Sequence, residues 1–390
     1  PIFNVEDVSS LIGLIEKSER PVILAGGGIR LGKAETNLEK FIDITGIPVV
    51  STLMGIDSID HEHKCYVGYM GAYGTRYSNL AVANCDLLIV LGSRLTARQT
   101  SSMTDSFARE AKIVHVDIDI NELNIKVKED LSIECDLVLF INAINKILIN
   151  SNHKFDYSSW IDKINIYKTK YPSYPNQNNI KEIDPNAFMN KISEMLHPNS
   201  IVSLDIGQNQ IWASQSLKLK KSQRLLNAGG MGPMGFGLPA AIGAWYAKPD
   251  YKIVVITGDG GIQVNIQELQ TIARERIPIK IIIMNNHSLG MIRHFQEMYF
   301  ESNYYGTIEG YSAPNFMKIS EAYGIKSLKI SNENQINELK EKLNDDQSYV
   351  IEVELKNITY VVPKLGMGRP IEDQEPLLGR KQLEENMIIG

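Results

Sequence analysis

The stretch that decides the fold is VVITGDGGIQVNIQELQTIARERIPIKIIIMNNHSLG, Val254–Gly290. It holds two apolar runs of strand length, separated by the amphipathic segment NIQELQTIARE. The first run ends in Gly258-Asp259-Gly260 and the second in Asn285-Asn286. The order strand, helix, strand predicts two parallel strands joined by a crossover helix. Because ligands of open parallel sheets bind beyond the carboxyl ends of the strands, we expect both polar clusters at one functional edge.

The same alternation of apolar runs and helical patterns extends over most of the chain. It predicts an α/β protein with two doubly wound parallel-sheet domains. We place the first domain at residues 1–150 and the second at 185–365. Between them, residues 151–184 are polar and rich in Asn, Lys, Tyr and Pro, which is typical of a linker that contains one helix. Residues 366–390 are expected to form a tail over the second domain and its active site.

The composition excludes several classes of function. Among 390 residues, 40 are basic and 46 are acidic, and no dense basic block is present, so a nucleic-acid partner has no support. No apolar run approaches the ~18 residues that a membrane-spanning helix needs. The cysteines Cys65, Cys85 and Cys135 are too few and too scattered for a disulfide framework. We therefore expect reduced thiols in a cytoplasmic protein.

The two polar clusters together have the chemistry of a metal–diphosphate site. Glycines at a strand end let the backbone approach a phosphate closely. Asp259 at that position would repel a bare phosphate, so a cation is needed between them. A carboxylate, the Asn286 amide, a backbone carbonyl and phosphate oxygens form an oxygen site that suits Mg²⁺. Each cluster alone is a common turn or loop, and only the pair after two strands is specific.

The residues around these clusters resemble the acetolactate synthase catalytic subunits among the thiamine-diphosphate-dependent enzymes. The matching segments of the second domain are DIGQNQIWASQ (205–215), GGMGPMGFGLPAAIGA (229–244), GDGGIQVNIQELQT (258–271), NNHSLGMIRHFQE (285–297) and VVPK (361–364). A looser similarity continues through GYMGAYGTRYSNLAVANCDLLIVLGSRLTARQT and AKIVHVDIDINELN, which resemble the middle domain of that family.

The resemblance implies a metal site made by the side chains of Asp259 and Asn286 and the backbone carbonyl of Ser288. Further residues implied around the cofactor are Gln208, Asn209, Gly258, Gly260, Gly261, Leu289, Gly290 and Met291. Gly232 is expected to accept a hydrogen bond from the aminopyrimidine of the cofactor through its carbonyl. Met234 is expected to support the bent shape of the cofactor, with an ordinary core role as the alternative.

Three positions depart from the usual family pattern. Asn209 stands where the family usually has His, Gly261 where it has Ser, and Pro233 where it has Thr. The first two changes are expected to weaken hydrogen bonds to the diphosphate, each worth about 1–3 kcal/mol where charge assists the bond. None of the three removes the metal site.

The implied reaction is decarboxylation of pyruvate or a similar 2-oxo acid, followed by transfer of the two-carbon unit to a 2-oxo acid or keto acceptor. Arg98 falls on the family's Arg that binds the acceptor carboxylate, although a solvated surface Arg is the alternative. Met291 matches the family, but Phe295 replaces a Trp associated with a larger acceptor. Pyruvate or a keto-sugar nucleotide therefore stays open as acceptor. A plain 2-oxo-acid decarboxylase and a non-catalytic cofactor-binding half are the alternative functions.

A second cofactor, FAD, is implied for the first domain by the same resemblance, although some relatives keep this domain without flavin. The glycine cluster in VILAGGGIRLG is by itself a weak dinucleotide signal. The candidate flavin residues are Gly26, Gly27, Gly28, Thr52, Leu53, Gly92, Ser93, Arg94, Arg98, Asp117 and Ile118. Thr96 stands where the family has Asp, so the flavin stays open.

Activation of the cofactor needs a carboxylate opposite its pyrimidine. In the family a Glu from an N-terminal domain of the neighbouring subunit supplies it, and residue 1 falls where the middle domain of the family begins. We therefore expect that domain in the same gene product or on a partner chain, within a homodimer or homotetramer. Glu268 is a weak substitute, since it lies on the diphosphate side and is expected to pack its helix.

Overall fold

The computed structural model describes residues 4–151, 153–174 and 182–389. The chain forms two compact units. The first comprises Pro1–Ser173 together with Val362–Gly390, and the second comprises Tyr174–Val361. The first unit therefore contains both ends of this sequence, and the second is inserted between them.

The first unit is built on a six-stranded parallel sheet with the strand order β3-β2-β1-β4-β5-β6. Its strands are β1 (Pro21–Ala25), β2 (Val49–Ser51), β3 (Tyr66–Tyr69), β4 (Leu87–Leu91), β5 (Lys112–Asp117) and β6 (Leu131–Glu134). Every residue of PVILA in β1 and LLIVL in β4 is buried, as expected of central strands covered by helices on both faces. The strand order reverses between β1 and β4, which makes their carboxyl ends the switch point of this sheet.

Between residues 4 and 173, the described part of the first unit contains seven α-helices. They are α1 (Val5–Lys17), α2 (Gly27–Leu31), α3 (Glu35–Thr45), α4 (Arg76–Ala83), α5 (Ala97–Thr100), α6 (Leu137–Asn150) and α7 (Ser158–Lys170). A capping box between Asn4 and Asp7 begins α1, and the Asp136 side chain accepts from the Leu139 N–H to begin α6. The helix α7 lies inside the expected linker, yet Trp160 and Tyr167 are buried in the core of the first unit. Residues 152 and 175–181 of that linker lie outside the described residues.

The second unit repeats the design with the strand order β11-β12-β10-β9-β7-β8. Its strands, all parallel, are β7 (Ser200–Leu204), β8 (Arg224–Leu226), β9 (Lys252–Gly258), β10 (Ile279–Asn285), β11 (Lys326–Ile330) and β12 (Tyr349–Glu354). Its helices are α8 (Pro185–Met195), α9 (Gln208–Ser216), α10 (Gly237–Ala247), α11 (Asp259–Val264), α12 (Glu268–Glu275), α13 (Gly290–Tyr299), α14 (Phe316–Ala322) and α15 (Leu339–Lys342). The two runs of the opening stretch are β9 and β10, and the predicted fold class is confirmed.

The C-terminal segment packs against the first unit. It contains β13 (Lys364–Leu365), β14 (Gln374–Glu375) and α16 (Arg380–Glu384). Buried Arg76 of α4 donates to the carbonyls of Gln374 and Pro376, and Asn79 donates to that of Ile371. We expected this tail to lie over the second domain, whereas the contacts that anchor it belong to the first. Its position over the active site stays a prediction.

No helix within the described ranges is both long and apolar enough to cross a membrane. The cysteines Cys65, Cys85 and Cys135 are buried.

Candidate active site

The two polar clusters of the opening stretch lie side by side at the carboxyl edge of the second sheet. In the register between β9 and β10, Gly258 pairs with Met284, so Asp259 and Asn286 follow neighbouring strand ends. The strand β7 lies on the other side of β9, and the order of the strands reverses between these two. The predicted cluster therefore occupies the switch point, where open α/β sheets bind their ligands.

Asp259 is a carboxylate in a protein environment that disfavours its charge. Its side chain is 2% exposed, and the Tyr311 hydroxyl donates to its Oδ2 at 2.9 Å. Burial raises the pKa of Asp259 to about 6, and the hydrogen bond from Tyr311 opposes that rise. Burial and the Asp259 charge raise the pKa of Tyr311 above its usual range, so the phenol keeps its proton and stays the donor. A cation bound to the carboxylate would offset the cost of burying its charge.

Asn286 is buried with its amide held at the nitrogen end. Its Nδ2 donates to Gln208 Oε1 at 2.8 Å and to Thr359 Oγ1 at 3.0 Å. The oxygen Oδ1 is therefore the end of the amide that is left for a metal. The preceding Asn285 is structural, because its Nδ2 donates to Glu352 Oε1 and its Oδ1 accepts from the His287 N–H.

Two predicted cofactor residues from other parts of the chain, Leu289 and Met234, meet Gly260 at the start of α11. A Cβ built on Gly260 would lie 2.4 Å from Leu289 Cδ2 and 3.2 Å from Met234 Cε. Backbone without a side chain is therefore required here. Close by, Ser288 is buried, and its Oγ has no hydrogen-bond partner among the described residues. An orphaned hydroxyl beside bare backbone is consistent with a polar ligand at this point.

Gln208 and Asn209 begin α9 with both side chains buried. The Nδ2 of Asn209 donates to the carbonyls of Asp205 and Ile256 at 2.8 and 3.2 Å, which ties the end of β7 to β9. Gln208 donates from Nε2 to the Thr359 carbonyl at 2.8 Å while its Oε1 accepts from Asn286. The expected contacts of both residues with a diphosphate stay predictions.

Sequence reasoning missed Asp205, which follows β7 and is buried. Its carboxylate accepts from the N–H groups of Ile206, Gly235 and Gly237 at 2.8–3.2 Å. Burial raises the pKa of Asp205, and these N–H groups oppose that rise. The carboxylate thereby holds the turn that carries Met234. A lone acid at the end of an apolar run was the available signal, whereas Tyr311 had no signal in the sequence.

The structure also explains the glycine that replaces the family's Ser after GDG. A Cβ on Gly261 would lie 2.9 Å from Thr257 Oγ1 and 3.2 Å from Asp205 Oδ1. Both distances are shorter than ordinary contacts, so a larger residue would push on the Asp205 carboxylate. Gly232, two residues before Met234, has a φ of 66°, a backbone conformation that favours glycine.

The expected acceptor residues lie in both units. Met291 and Phe295 are on α13, where Phe295 is 42% exposed and contacts Tyr299 with a centroid distance of 4.7 Å. Arg98 is an exposed residue of α5 in the first unit. The role of Arg98 toward an acceptor carboxylate stays a prediction.

The candidate flavin residues gather at the carboxyl edge of the first sheet, after β1, β2, β4 and β5. There, Gly26 and Gly28 have a structural explanation. A Cβ on Gly26 would lie 2.1 Å from the Gly92 carbonyl oxygen, and one on Gly28 would lie 2.7 Å from Gly92 Cα. The glycine cluster thus permits close packing of two backbones, and it does not by itself indicate a nucleotide.

No group of three or more His, Cys, Asp or Glu residues within the described ranges could hold a metal ion. A metal bound by Asp259 and Asn286 would have one carboxylate, one amide oxygen and the oxygens of its ligand. That donor set is the one expected for Mg²⁺ bound together with a diphosphate, and Asp259 and Asn286 fit it.

Comparison with known proteins agrees with this geometry. Residues 8–144 match the model of the thiamine pyrophosphate enzyme central domain, and residues 205–353 match that of the C-terminal TPP binding domain. The chain is 38% identical to a probable acetolactate synthase large subunit of Methanococcus aeolicus, over 90% of this chain and 60% of that protein. It is 34% identical to acetolactate synthase 2, chloroplastic, of Nicotiana tabacum, over 94% of this chain and 56% of that protein. It is 35% identical to the acetolactate synthase large subunit of Lactococcus lactis, over 93% of this chain and 62% of that protein. The chain thus spans about 60% of the length of these curated relatives.

Proposed function

This chain belongs to the thiamine pyrophosphate enzymes, of which it carries the central and the C-terminal cofactor-binding domains, and on that premise we propose that it is part of a carboligase of acetolactate synthase type. Its substrate would be pyruvate or a similar 2-oxo acid, and its acceptor a second 2-oxo acid or a keto compound. The names of its relatives support this reaction, although the chain spans only about 60% of their length.

The observation that carries the proposal is the meeting of Asp259 and Asn286 at neighbouring strand ends of the second sheet. Both are buried, and the N–H end of the Asn286 amide is turned to protein acceptors. In the proposal these two side chains and the Ser288 carbonyl hold Mg²⁺, and the Mg²⁺ holds the diphosphate of the cofactor. The N-termini of α9 and α13 would add backbone N–H donors for phosphate oxygens.

When bound, thiamine diphosphate supplies the carbon nucleophile of the reaction. The chain orients that cofactor: the Gly232 carbonyl would accept from the aminopyrimidine, and Met234 would support the bent conformation. Met291 and Phe295 would pack against the acceptor, and Arg98 would bind its carboxylate with two parallel hydrogen bonds. The smaller ring of Phe295, where the family usually has Trp, favours an acceptor other than the usual one.

The proposal includes further components. The activating Glu would come from an N-terminal domain, in the same gene product or on a partner chain, and the complete enzyme would be a homodimer or homotetramer. Two relatives are named large subunits, which supports an assembly of several chains. FAD at the carboxyl edge of the first sheet is a separate part of the proposal, and a visible absorption spectrum of the purified protein tests it.

Calorimetric titration of thiamine diphosphate into the full chain, with and without Mg²⁺, tests the cofactor site. We expect binding that requires Mg²⁺ in the wild type and is lost in Asp259→Ala, because this buried carboxylate is the only charged protein ligand in the expected set. Metal-independent binding, or binding that survives the substitution, would refute the metal assignment.

Pyruvate consumption by the same chain, with thiamine diphosphate and Mg²⁺ present, tests whether the activating acid lies in this chain or in the expected N-terminal domain. Turnover by the chain alone would show that it contains its own acid. Turnover that requires an added N-terminal domain supports the proposal.

A further inference from the structure

Gln208, Asn286 and Thr359 form a hydrogen-bonded triangle beneath the expected metal site. Asn286 Nδ2 donates to Gln208 Oε1 at 2.8 Å and to Thr359 Oγ1 at 3.0 Å, and Gln208 Nε2 donates to the Thr359 carbonyl at 2.8 Å. Gln208 and Asn286 are 5% and 4% exposed. The three residues lie far apart in sequence, after β7, after β10 and beyond β12.

The triangle fixes which end of the Asn286 amide faces the site. A backbone carbonyl only accepts hydrogen bonds, so the Thr359 carbonyl requires the nitrogen end of Gln208. The oxygen Oε1 of Gln208 must then face Asn286, and Asn286 must donate to it from its own nitrogen Nδ2. The orientation of both amides thus follows from the Thr359 carbonyl, which can only accept a hydrogen bond. The result leaves Asn286 with an oxygen available to a cation, whereas a flipped amide would present N–H groups that repel it.

The site of Thr359 is itself held by buried side chains. Arg293, which is 2% exposed, donates from Nη2 to the Thr359 carbonyl at 3.2 Å and from Nη1 to the Asn357 carbonyl. Trp212 Nε1 donates to the Tyr360 carbonyl at 3.0 Å. Segment 357–360 is therefore anchored by the helices α9 and α13, and Thr359 is a fixed reference for the two amides.

Gly290 makes the close approach of Gln208 to Asn286 sterically allowed. A Cβ at Gly290 would lie 2.0 Å from Gln208 Oε1 and 2.8 Å from Asn286 Nδ2. The first residue of α13 thus leaves the space that this hydrogen bond occupies. This packing gives Gly290 a role that does not require contact with the cofactor.

We propose that Thr359 and Gln208 are positioning residues that lock the Asn286 amide with its oxygen available to the metal, and that Gln208 acts on the metal ligand rather than on the diphosphate. The inference rests on the proposed Mg²⁺–thiamine diphosphate site. It assigns a role to Thr359, which lies outside every segment that carries the resemblance. It also replaces the role that the resemblance implied for Gln208.

The test separates an effect on the metal from an effect on the diphosphate. Calorimetry on the full chain measures the affinity for Mg²⁺ at fixed thiamine diphosphate, and the affinity for thiamine diphosphate at saturating Mg²⁺. For Thr359→Val and Gln208→Met we expect the apparent dissociation constant of Mg²⁺ to rise about tenfold or more, as for other residues that orient metal ligands. At saturating Mg²⁺ the affinity for thiamine diphosphate should return to that of the wild type. Thr271→Val, on α12, is the matched control and should behave as the wild type.

The possible failures are distinct. A loss of thiamine diphosphate affinity in Gln208→Met that persists at saturating Mg²⁺ would mean direct contact with the diphosphate and would overturn the role given to Gln208. An unchanged Mg²⁺ affinity in Thr359→Val would overturn the role of Thr359. If the wild type binds no cofactor at all, the proposed function fails, and the metal-positioning role fails with it. Thermal unfolding of each variant confirms that it is folded, and the isosteric Thr359→Val carries the test if Gln208→Met is not.

Discussion

At the scale of single residues, the expected metal ligands are oriented by groups from distant loops. Asp259 receives the Tyr311 hydroxyl, and Asn286 is held by Gln208 and Thr359. The two polar clusters predicted that Asp259 and Asn286 follow neighbouring strands, because strand ends and turns are local features of a sequence. Their hydrogen-bond partners were not predictable, since those contacts depend on how loops far apart in the chain meet.

The Tyr311 hydroxyl gives a prediction at this scale. Tyr311→Phe removes the only atom that donates from this ring to Asp259 Oδ2 and leaves the ring in place. We expect the Mg²⁺ dissociation constant to rise about tenfold, because the carboxylate loses the bond that orients it. Titration of Mg²⁺ at fixed thiamine diphosphate measures it. Tyr305→Phe is the control, since Tyr305 is 73% exposed. Equal affinities in both variants would contradict the role of Tyr311.

At the scale of secondary-structure elements, the alternation of apolar and amphipathic segments was sufficient to predict both sheets. The buried runs of β1, β4, β9 and β10 are apolar because helices cover both faces of each sheet. The glycines after β1 have a packing role that this alternation did not indicate. Gly26 and Gly28 bring the turn after β1 against Gly92, and their expected contact with flavin stays a prediction. A backbone contact of this kind leaves no periodic signal in the sequence.

Substitution of these glycines tests the packing of the elements. Gly26→Ala would place a Cβ 2.1 Å from the Gly92 carbonyl oxygen, and neither backbone can move aside easily. We expect the free energy of unfolding to fall by ~1–3 kcal/mol or more, as in other overpacked sites. Gly13→Ala is the matched control, because it lies in α1 with no atom within 4 Å of its Cβ. That control should gain about 0.5–1 kcal/mol. Denaturant unfolding of both variants decides, and a stable Gly26→Ala would contradict the packing argument.

At the scale of the whole molecule, the chain passes from the first unit to the second at Ser173–Tyr174 and returns at Val361–Val362. The helix α7 belongs to the first unit and precedes that passage, and its Lys168 donates to the Tyr66 carbonyl at 2.8 Å. The polar tail has no hydrophobic period, so its return to the first unit could not be predicted. Its position is set by single buried donors such as Arg76, whose partners are backbone carbonyls.

Lys168 gives this scale a pH-dependent prediction. Burial lowers the pKa of Lys168 from 10.5 to about 8 in the folded chain. Between these two values the unfolded chain binds the proton and the folded chain does not, so this residue makes stability rise with pH. The slope is at most about 1.4 kcal/mol per pH unit. In Lys168→Met the rise of stability with pH that Lys168 causes should vanish. In Lys154→Met, which replaces an exposed lysine, this rise should remain. The measurement is the free energy of unfolding of both variants from pH 7 to pH 10. Identical slopes of this free energy against pH would refute the assignment to Lys168.

The return of residues 362–390 to the first unit has a consequence for the order of events during synthesis. The ribosome makes the first sheet early, but it supplies β13, β14 and α16 of the same unit only after the whole second unit has emerged. The second unit is continuous in the chain, so it can reach its final state before the earlier-made unit does. Until then buried Arg76 lacks the carbonyls of Gln374 and Pro376, and Asn79 lacks that of Ile371. This incomplete first unit is the stage at which a chaperone would be of most use.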